Sequence, residues 1–379
     1  MKLLAVKALR YRSLRDENIP LTDLNLFIGA NASGKSTILD ALRFLHEGVQ
    51  ERDFKSPAFS RGGIVHLGWK GEQAHAIELV ASFEDDGRTY EWLVRLVRDG
   101  YEFSVHEDVS EVHGTAPPSQ LLSTTKGRGW WWSGAKGDRV LLAQPPTTCA
   151  LAAAAVDESF PARRVAEFVS RWGFFDPSPF LLRRGWTGLD PSRFDPYGRN
   201  LAERLYALRE SSSDAFNQIV SATQSVLGLP SQIELRESRE TEDRVYFVQH
   251  EPGLMFPVHQ VGASSGTLRM LALMTAILGG TESNLIGIEE PENHVHPAAL
   301  AAFAEYLLRA RHRVQVLITT HSPLLLDFLN EPAAVCIVRH TDQDGTRATR
   351  ESNPDAVRQA LEASGFGLGE FHETKGFGS

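Results

Sequence analysis

The chain has 379 residues, 42% hydrophobic and 23% charged, with a formal net charge of −9. That is ordinary globular composition, with room for two domains or for one domain carrying an insertion, and a surface negative overall repels nucleic acid, so any DNA contact must come from a local basic patch. No apolar run approaches membrane-spanning length, the opening Met1-Lys2-Leu3-Leu4-Ala5-Val6-Lys7 meets charge too early for a signal peptide, and Cys149 and Cys336 lack metal spacing; the expectation is a soluble cytoplasmic protein with reduced thiols and no membrane partner.

Leu3 to Leu9 and Ile19 to Leu21 read as a short hairpin. It leads into an apolar strand, Leu24-Asn25-Leu26-Phe27-Ile28, then Gly29-Ala30-Asn31-Ala32-Ser33-Gly34-Lys35-Ser36-Thr37, then an amphipathic stretch from Ile38 to Leu45. A strand, a glycine-rich turn and a helix start form the context of a phosphate-binding P-loop. Gly29 and Gly34 let the backbone take positive φ, so that the N–H groups along Asn31, Ala32, Ser33 and Gly34 curl inward, and the new helix brings its positive end beneath the phosphates. Lys35 can reach the β and γ phosphates, and the hydroxyl of Ser36, followed by Thr37, is placed for Mg²⁺.

An antiparallel meander follows. Ile77, Leu79, Ala81 and Phe83 alternate with more polar neighbours, Asp86-Gly87 turns the chain, Tyr90, Trp92, Val94 and Leu96 form the next face, and Asp99-Gly100 turns it again toward Tyr101, Phe103 and Val105. Residues 114 to 150 are rich in Gly, Pro, Ser and Thr and read as irregular, with Trp130-Trp131-Trp132 in their middle. Three adjacent tryptophans cannot all face one core. They form either a loop or hairpin packed on a neighbouring lobe, or an exposed surface for a partner or for stacking bases.

From Ala150 to Leu229 the pattern is helical, with Val165, Phe168, Val169 and Trp172 on one face and Leu201, Leu205 and Leu208 on another. Strands resume at Gln232 to Arg236 and Val245 to Gln249. Ala263-Ser264-Ser265-Gly266-Thr267 opens an apolar helix ending at Leu278; Ser264 or Ser265 is either an ordinary N-cap or part of a second anion-binding helix end. Asn284 to Ile288 is a buried strand that runs into Glu289-Glu290-Pro291-Glu292, where Glu289 stands beside a metal, at one water's distance, and Glu290 can hold an attacking water. A helix from Pro297 to Arg309, an apolar strand from Val314 to Thr319 and a strand from Ala334 to Val338 follow. His321 lies just past the strand at 314–319, where parallel sheets bind ligands, and can donate to a γ-phosphate or to the attacking water.

In this order the elements resemble the ABC-type ATPase heads of the RecF/SMC class. Gly29 to Thr37 resembles the Walker A loop, Ser264-Ser265-Gly266-Thr267 the signature motif, Leu285 to Glu290 Walker B, and His321 the switch histidine, while Tyr11-Arg12-Ser13 stands where the family carries a Phe-Arg-Ser-like phrase. Glu289-Glu290-Pro291-Glu292-Asn293-His294-Val295-His296-Pro297 resembles the stand-alone AAA_15/AAA_21 ATPases and the ATPase halves of OLD-type nucleases, which occur in DNA repair and phage defence. The resemblance implies an α/β P-loop fold of ABC-ATPase head type: a mixed sheet with an antiparallel β subdomain, the head formed by 1–145 and 245–379, and a mainly helical lid over 146–244. It further implies an enzyme that binds ATP and Mg²⁺, with catalytic Lys35, Glu290 and His321, nucleotide contacts from Arg12 and from Asn31 through Thr37, and Ser36 and Glu289 on the metal. Ser264 and Gly266 would reach the nucleotide of a second subunit, giving an ATP-dependent homodimer. Glu289 replaces the usual Asp, Ser265 the usual Gly or Asp, and Gln144 stands in for the glutamine that links the lobes. DNA is one implied partner, with Arg163-Arg164, Arg183-Arg184 and the basic N-terminal hairpin as contacts; an effector protein such as a nuclease is the other.

Overall fold

In the computed structural model, which describes residues 1–71, 76–114, 116–185, 189–228, 232–238, 245–279 and 283–374, the chain divides into two units. The first comprises Met1–Trp172 with Ala334–Glu351, the second Gly173–Ala333 with Ser352–Ser379.

The first unit is built on a long sheet. Lys2–Tyr11 pairs antiparallel with Leu14–Pro20 on one side and with Ile77–Asp85 on the other. From there the chain folds back strand by strand through Arg88–Asp99, Glu102–His113, Ala116–Thr125, Arg128–Ser133 and Asp138–Ala143. Leu14–Pro20 meets Gly345–Arg350, which pairs with Val335–Thr341, which runs parallel to the P-loop strand Leu24–Ile28. The alternation read from the sequence is the alternation of burial: Ile77, Leu79, Ala81, Phe83, Tyr90, Trp92, Val94 and Leu96 all face the core. Asp86 and Gly87 both take positive φ, +51° and +79°, the two-residue turn whose twist suits a hairpin. Helix Lys35–Glu51 buries Ile38, Leu39, Leu42, Phe44, Leu45 and Val49.

The stretch 114–150 is not irregular, as its composition suggests; it adds three strands to the meander. Lys126 and Gly127 repeat the positive-φ turn, at +54° and +74°. The tryptophans divide as the strand period demands: Trp131 is buried edge-on against Phe160, Trp130 lies half-buried beneath the guanidinium of Arg139, and Trp132 is on the exposed face. Tyr101, assigned to a strand face, sits exposed in the turn before Glu102. Val165, Phe168 and Val169 are buried on helix Arg163–Ser170, but Trp172 begins a strand instead of continuing that helix.

The second unit carries the parallel pair Leu285–Glu289 and Gln315–Thr320, in register from Leu285 opposite Gln315 to Glu289 opposite Thr319. Helix Pro297–Ala310 packs against Gln315–Thr320 and Pro323–Leu329, and Ser213–Leu227 packs against Ser265–Leu278, Leu201–Ser211 and Pro297–Ala310. Leu201, Leu205 and Leu208 are buried as their spacing predicts. Gln232–Glu237, Val245–His250 and Val258–His259 form a small antiparallel sheet. Cys149 and Cys336 are buried and unbridged, and among the described residues no helix is long and apolar enough to cross a membrane.

Candidate active site

The first unit shapes the loop around Lys35. Ala32 and Gly34 take positive φ, +62° and +99°, so the chain curls just before helix Lys35–Glu51, whose N-terminus receives no side-chain cap. Uncapped first-turn amides at a helix's positive end suit an anion. The ammonium of Lys35, almost fully buried, donates to the carbonyls of Gly29 and Ala30 at 2.8 and 2.9 Å. Those bonds fold the side chain across the loop. Asn31, Ala32 and Ser36 are exposed, while the hydroxyl of Ser33 is buried with no hydrogen-bond partner among the described residues.

The sequence reading missed Thr346, on the strand Gly345–Arg350. Its hydroxyl lies 2.9 Å from the Ser33 carbonyl and 2.8 Å from the hydroxyl of Ser13, which in turn donates to Thr37 at 3.0 Å. Gly34 is required here twice over, since a Cβ at that position would fall 1.9 Å from the Thr346 hydroxyl. Arg12, predicted to touch nucleotide, donates from its part-exposed guanidinium to Asp40 at 2.6 Å, where Asp40 also meets Tyr11 at 2.7 Å and Arg61 at 2.8 Å. Burial pushes the Asp40 carboxyl up, but Arg61, then Tyr11 and Arg12, outweigh it and hold the group below the ordinary carboxylate range. The network fixes the first turns of the helix that begins at Lys35.

The second unit gathers the other half of the predicted set. Because the two parallel strands end level, the loops that follow Glu289 and Thr320 lie side by side. The amide of Glu290 donates to the Thr319 carbonyl at 2.9 Å, and Glu290 itself turns at a φ of +43°. Its carboxylate accepts from Asn293 at 2.8 Å. The imidazole Nδ1 of His321 stands 3.8 Å from Glu290 and 3.4 Å from Glu292. Arg269, buried on the helix that begins at Ser265, donates from Nη2 to the carbonyls of Glu289 and Glu290, both at 2.9 Å. A single guanidinium thus fixes the backbone of the acid pair.

The start of that same helix is shaped by its neighbours. Ser264 is the N-cap, accepting from the Thr267 amide at 3.0 Å. Gly266 approaches so closely that a Cβ would lie 2.9 Å from the carbonyl of His294. Ser265 accepts from Arg183 at 2.9 Å. Arg183, expected as a basic contact, is therefore tied to the loop that opens this helix. The other basic candidates are also engaged: Arg163 with Glu158 and Glu167, Arg164 with Asp85 and Asp86, Lys2 with Asp23 and Arg184 over the Phe180 ring.

Lys35 with its loop thus forms one cluster, and Ser264, Gly266, Glu289, Glu290 and His321 another. The residues missed from sequence are Thr346, Arg269, Asn293 and Glu292. Of these, Asn293 and Glu292 lie inside the acidic phrase and could have been singled out there, whereas Thr346 and Arg269 have no local signal.

Residues 1–89 match AAA_15, an AAA ATPase domain, and residues 193–327 match AAA_21, an AAA domain whose description also names an AbiEii toxin and a Type IV TA system. No curated protein matches the chain by sequence. Among solved structures it is similar to an Smc head bound to the C-winged helix domain of ScpA, at 13% identity over 94% of this chain and 100% of that one, with a TM-score of 0.58. It is also similar to an Smc head with an extended coiled coil bound to the C-terminal domain of ScpA, from Pyrococcus furiosus, at 12% identity over 96% and 99%, with a TM-score of 0.56. At such identities the likeness is one of fold, a mixed α/β ATPase head. The matched segments contain the Lys35 loop and the acidic strand end, so over those segments the chain is similar to AAA-type ATPase domains, on a fold similar to that of Smc heads.

Proposed function

We propose that the chain is a Mg²⁺-dependent ATP hydrolase that closes into a homodimer around two nucleotides. Lys35 and the backbone from Asn31 to Thr37 hold the β and γ phosphates, Glu290 accepts the proton of the attacking water, and His321 donates a hydrogen bond at the γ-phosphate end. Arg12 steadies the loop through Asp40. Ser36 and Glu289 offer hard oxygen donors of the kind Mg²⁺ takes when phosphates complete its shell, and the ion supplies neutralisation of phosphate charge. Ser264 and Gly266 face the nucleotide of the partner subunit, so that two positive helix ends join across ATP and hydrolysis weakens the contact. Residues 146–244 act as the lid, and the protein works in the cytoplasm. The observation that carries this reading is the Lys35 loop: a left-handed turn, an uncapped helix start and a lysine folded onto the Gly29 and Ala30 carbonyls.

Two outputs compete: coupling to DNA in repair or phage defence, and ATP-gated control of an effector protein such as a nuclease without DNA contact. The ion pairs of Arg163 and Arg164 with acidic neighbours and the bond from Arg183 to Ser265 support the second, since they offset the positive charge that a DNA patch needs. The Smc heads to which the chain is similar were solved with ScpA domains bound, which is in keeping with a protein partner. Light scattering of Glu290→Gln with and without ATP and DNA tests both steps. ATP should convert monomer to dimer, with no further change on adding DNA if the second output holds. A monomer at saturating ATP would refute the dimer.

A further inference from the structure

The acidic phrase holds a third carboxylate, Glu292, to which neither the metal role nor the base role belongs. Its side chain is 92% buried, being only 8% exposed. Oε1 accepts from the Thr320 hydroxyl at 2.8 Å and from the His321 amide at 3.0 Å. The same oxygen faces Nδ1 of the His321 ring at 3.4 Å, within a small ring rotation of a hydrogen bond. Oε2 is buried with no hydrogen-bond partner among the described residues.

Tethering the two loops needs one acceptor oxygen, which glutamine would supply as well. A second buried oxygen left without a donor costs about 1–3 kcal/mol and adds nothing to such a tether. A carboxylate is the right choice if the group has another task, and the group it faces is an imidazole. Which nitrogen of a histidine carries the proton is set by the hydrogen bond made at the other, and a carboxylate behind an imidazole fixes both the tautomer and the ring's direction. Thr320 sharpens the arrangement: its hydroxyl donates to Glu292 and accepts from the Ser322 amide at 3.0 Å, locking the turn on which the ring is mounted.

We propose that Glu292 is a positioning residue for His321: it ties the Thr320-His321 turn to the acidic loop and holds the imidazole through Nδ1, leaving Nε2 to donate to a phosphate oxygen when the ring is protonated and to accept from water when it is neutral. Its consequence for turnover rests on the ATPase reading above; its effect on the ring does not.

The test uses the full chain labelled with ¹⁵N-histidine, with the His321 signals assigned by their loss in His321→Ala and recorded at a pH where the ring is neutral. In wild type the proton resides on Nδ1, and in Glu292→Gln the population moves toward Nε2–H. A wild-type ring protonated on Nε2 overturns the proposal, and that measurement stands even if the variant fails to fold. In steady-state ATPase assays Glu292→Gln lowers kcat about tenfold to a hundredfold with KM little changed, and it has no further effect in a His321→Ala background. Additive losses in the double variant also overturn the proposal, because a merely structural role would add. A wild-type chain with no ATPase activity would refute the reading of the site while the tautomer still decides the role of Glu292.

Discussion

Replacing Gly34 with alanine tests the account at the turn on which it depends. Two penalties are legible. The φ of +99° lies beyond the left-handed well that non-glycine residues visit, a strain of about 1–3 kcal/mol. The new Cβ would also sit 1.9 Å from the Thr346 hydroxyl and 2.8 Å from its Cβ and Cγ2, an overlap worth about another 1–3 kcal/mol. Thr346 cannot swing aside freely, because its hydroxyl is committed to Ser33 and Ser13. The expected loss is about 4 kcal/mol by urea unfolding, with nucleotide affinity lost in parallel. Thr346→Gly removes every atom in that overlap, so the double variant should be more stable than the sum of the singles by about 1 kcal/mol or more, with the backbone strain remaining. Strict additivity, or a Gly34→Ala protein within about 0.5 kcal/mol of wild type, would refute the reasoning.

Burial pushes the Glu107 carboxyl up to about 7, against the amides of Ala150 and Leu151 and the Trp92 indole that favour its charge. The folded chain therefore keeps a proton that the unfolded chain releases above pH 4.5. This contribution, about 3 kcal/mol, is complete below pH 4.5 and is lost as pH rises to about 7. Glu107→Gln should flatten that limb of the stability–pH curve, and parallel curves for the two proteins would contradict the assignment. Trp131→Ala should destabilise the chain by about 3–5 kcal/mol and Trp132→Ala by less than about 1, measured by chemical denaturation; equal losses would contradict the strand register. Arg269→Met leaves the Glu289 and Glu290 carbonyls without their donor, so kcat should fall more than nucleotide affinity, and an unchanged kcat would show that the guanidinium does not hold the acid pair.

The parts of this molecule visible in its sequence are those whose cause is local. The Lys35 loop is announced by glycine spacing between an apolar strand and a helix, and the meander at 77–105 by strict alternation with Asp-Gly turns. The acid pair and His321 follow apolar strands that end level. The strands within 116–143 were obscured because Pro117 and Pro118 read as breakers, although they fall at an irregular point of the ladder, and because Trp130-Trp131-Trp132 masks the alternation that burial then reveals. Lys126-Gly127 lacks the Asn or Asp that signals such a turn. Contacts between distant segments had no signature at all: Thr346 supports Ser33 across 313 residues, and Arg164 meets Asp86 across 78. Arginines that read as a basic surface also form ion pairs that the sequence does not announce, Arg164 with Asp85 and Asp86 among them.

The most direct measurement is binding and turnover of radiolabelled ATP with Mg²⁺ by wild type, Lys35→Ala and Glu290→Gln in parallel. Wild type should bind and hydrolyse, Glu290→Gln should bind with turnover nearly abolished, and Lys35→Ala should not bind. ATP held by Lys35→Ala with wild-type affinity would contradict the assignment of the loop as the phosphate cradle.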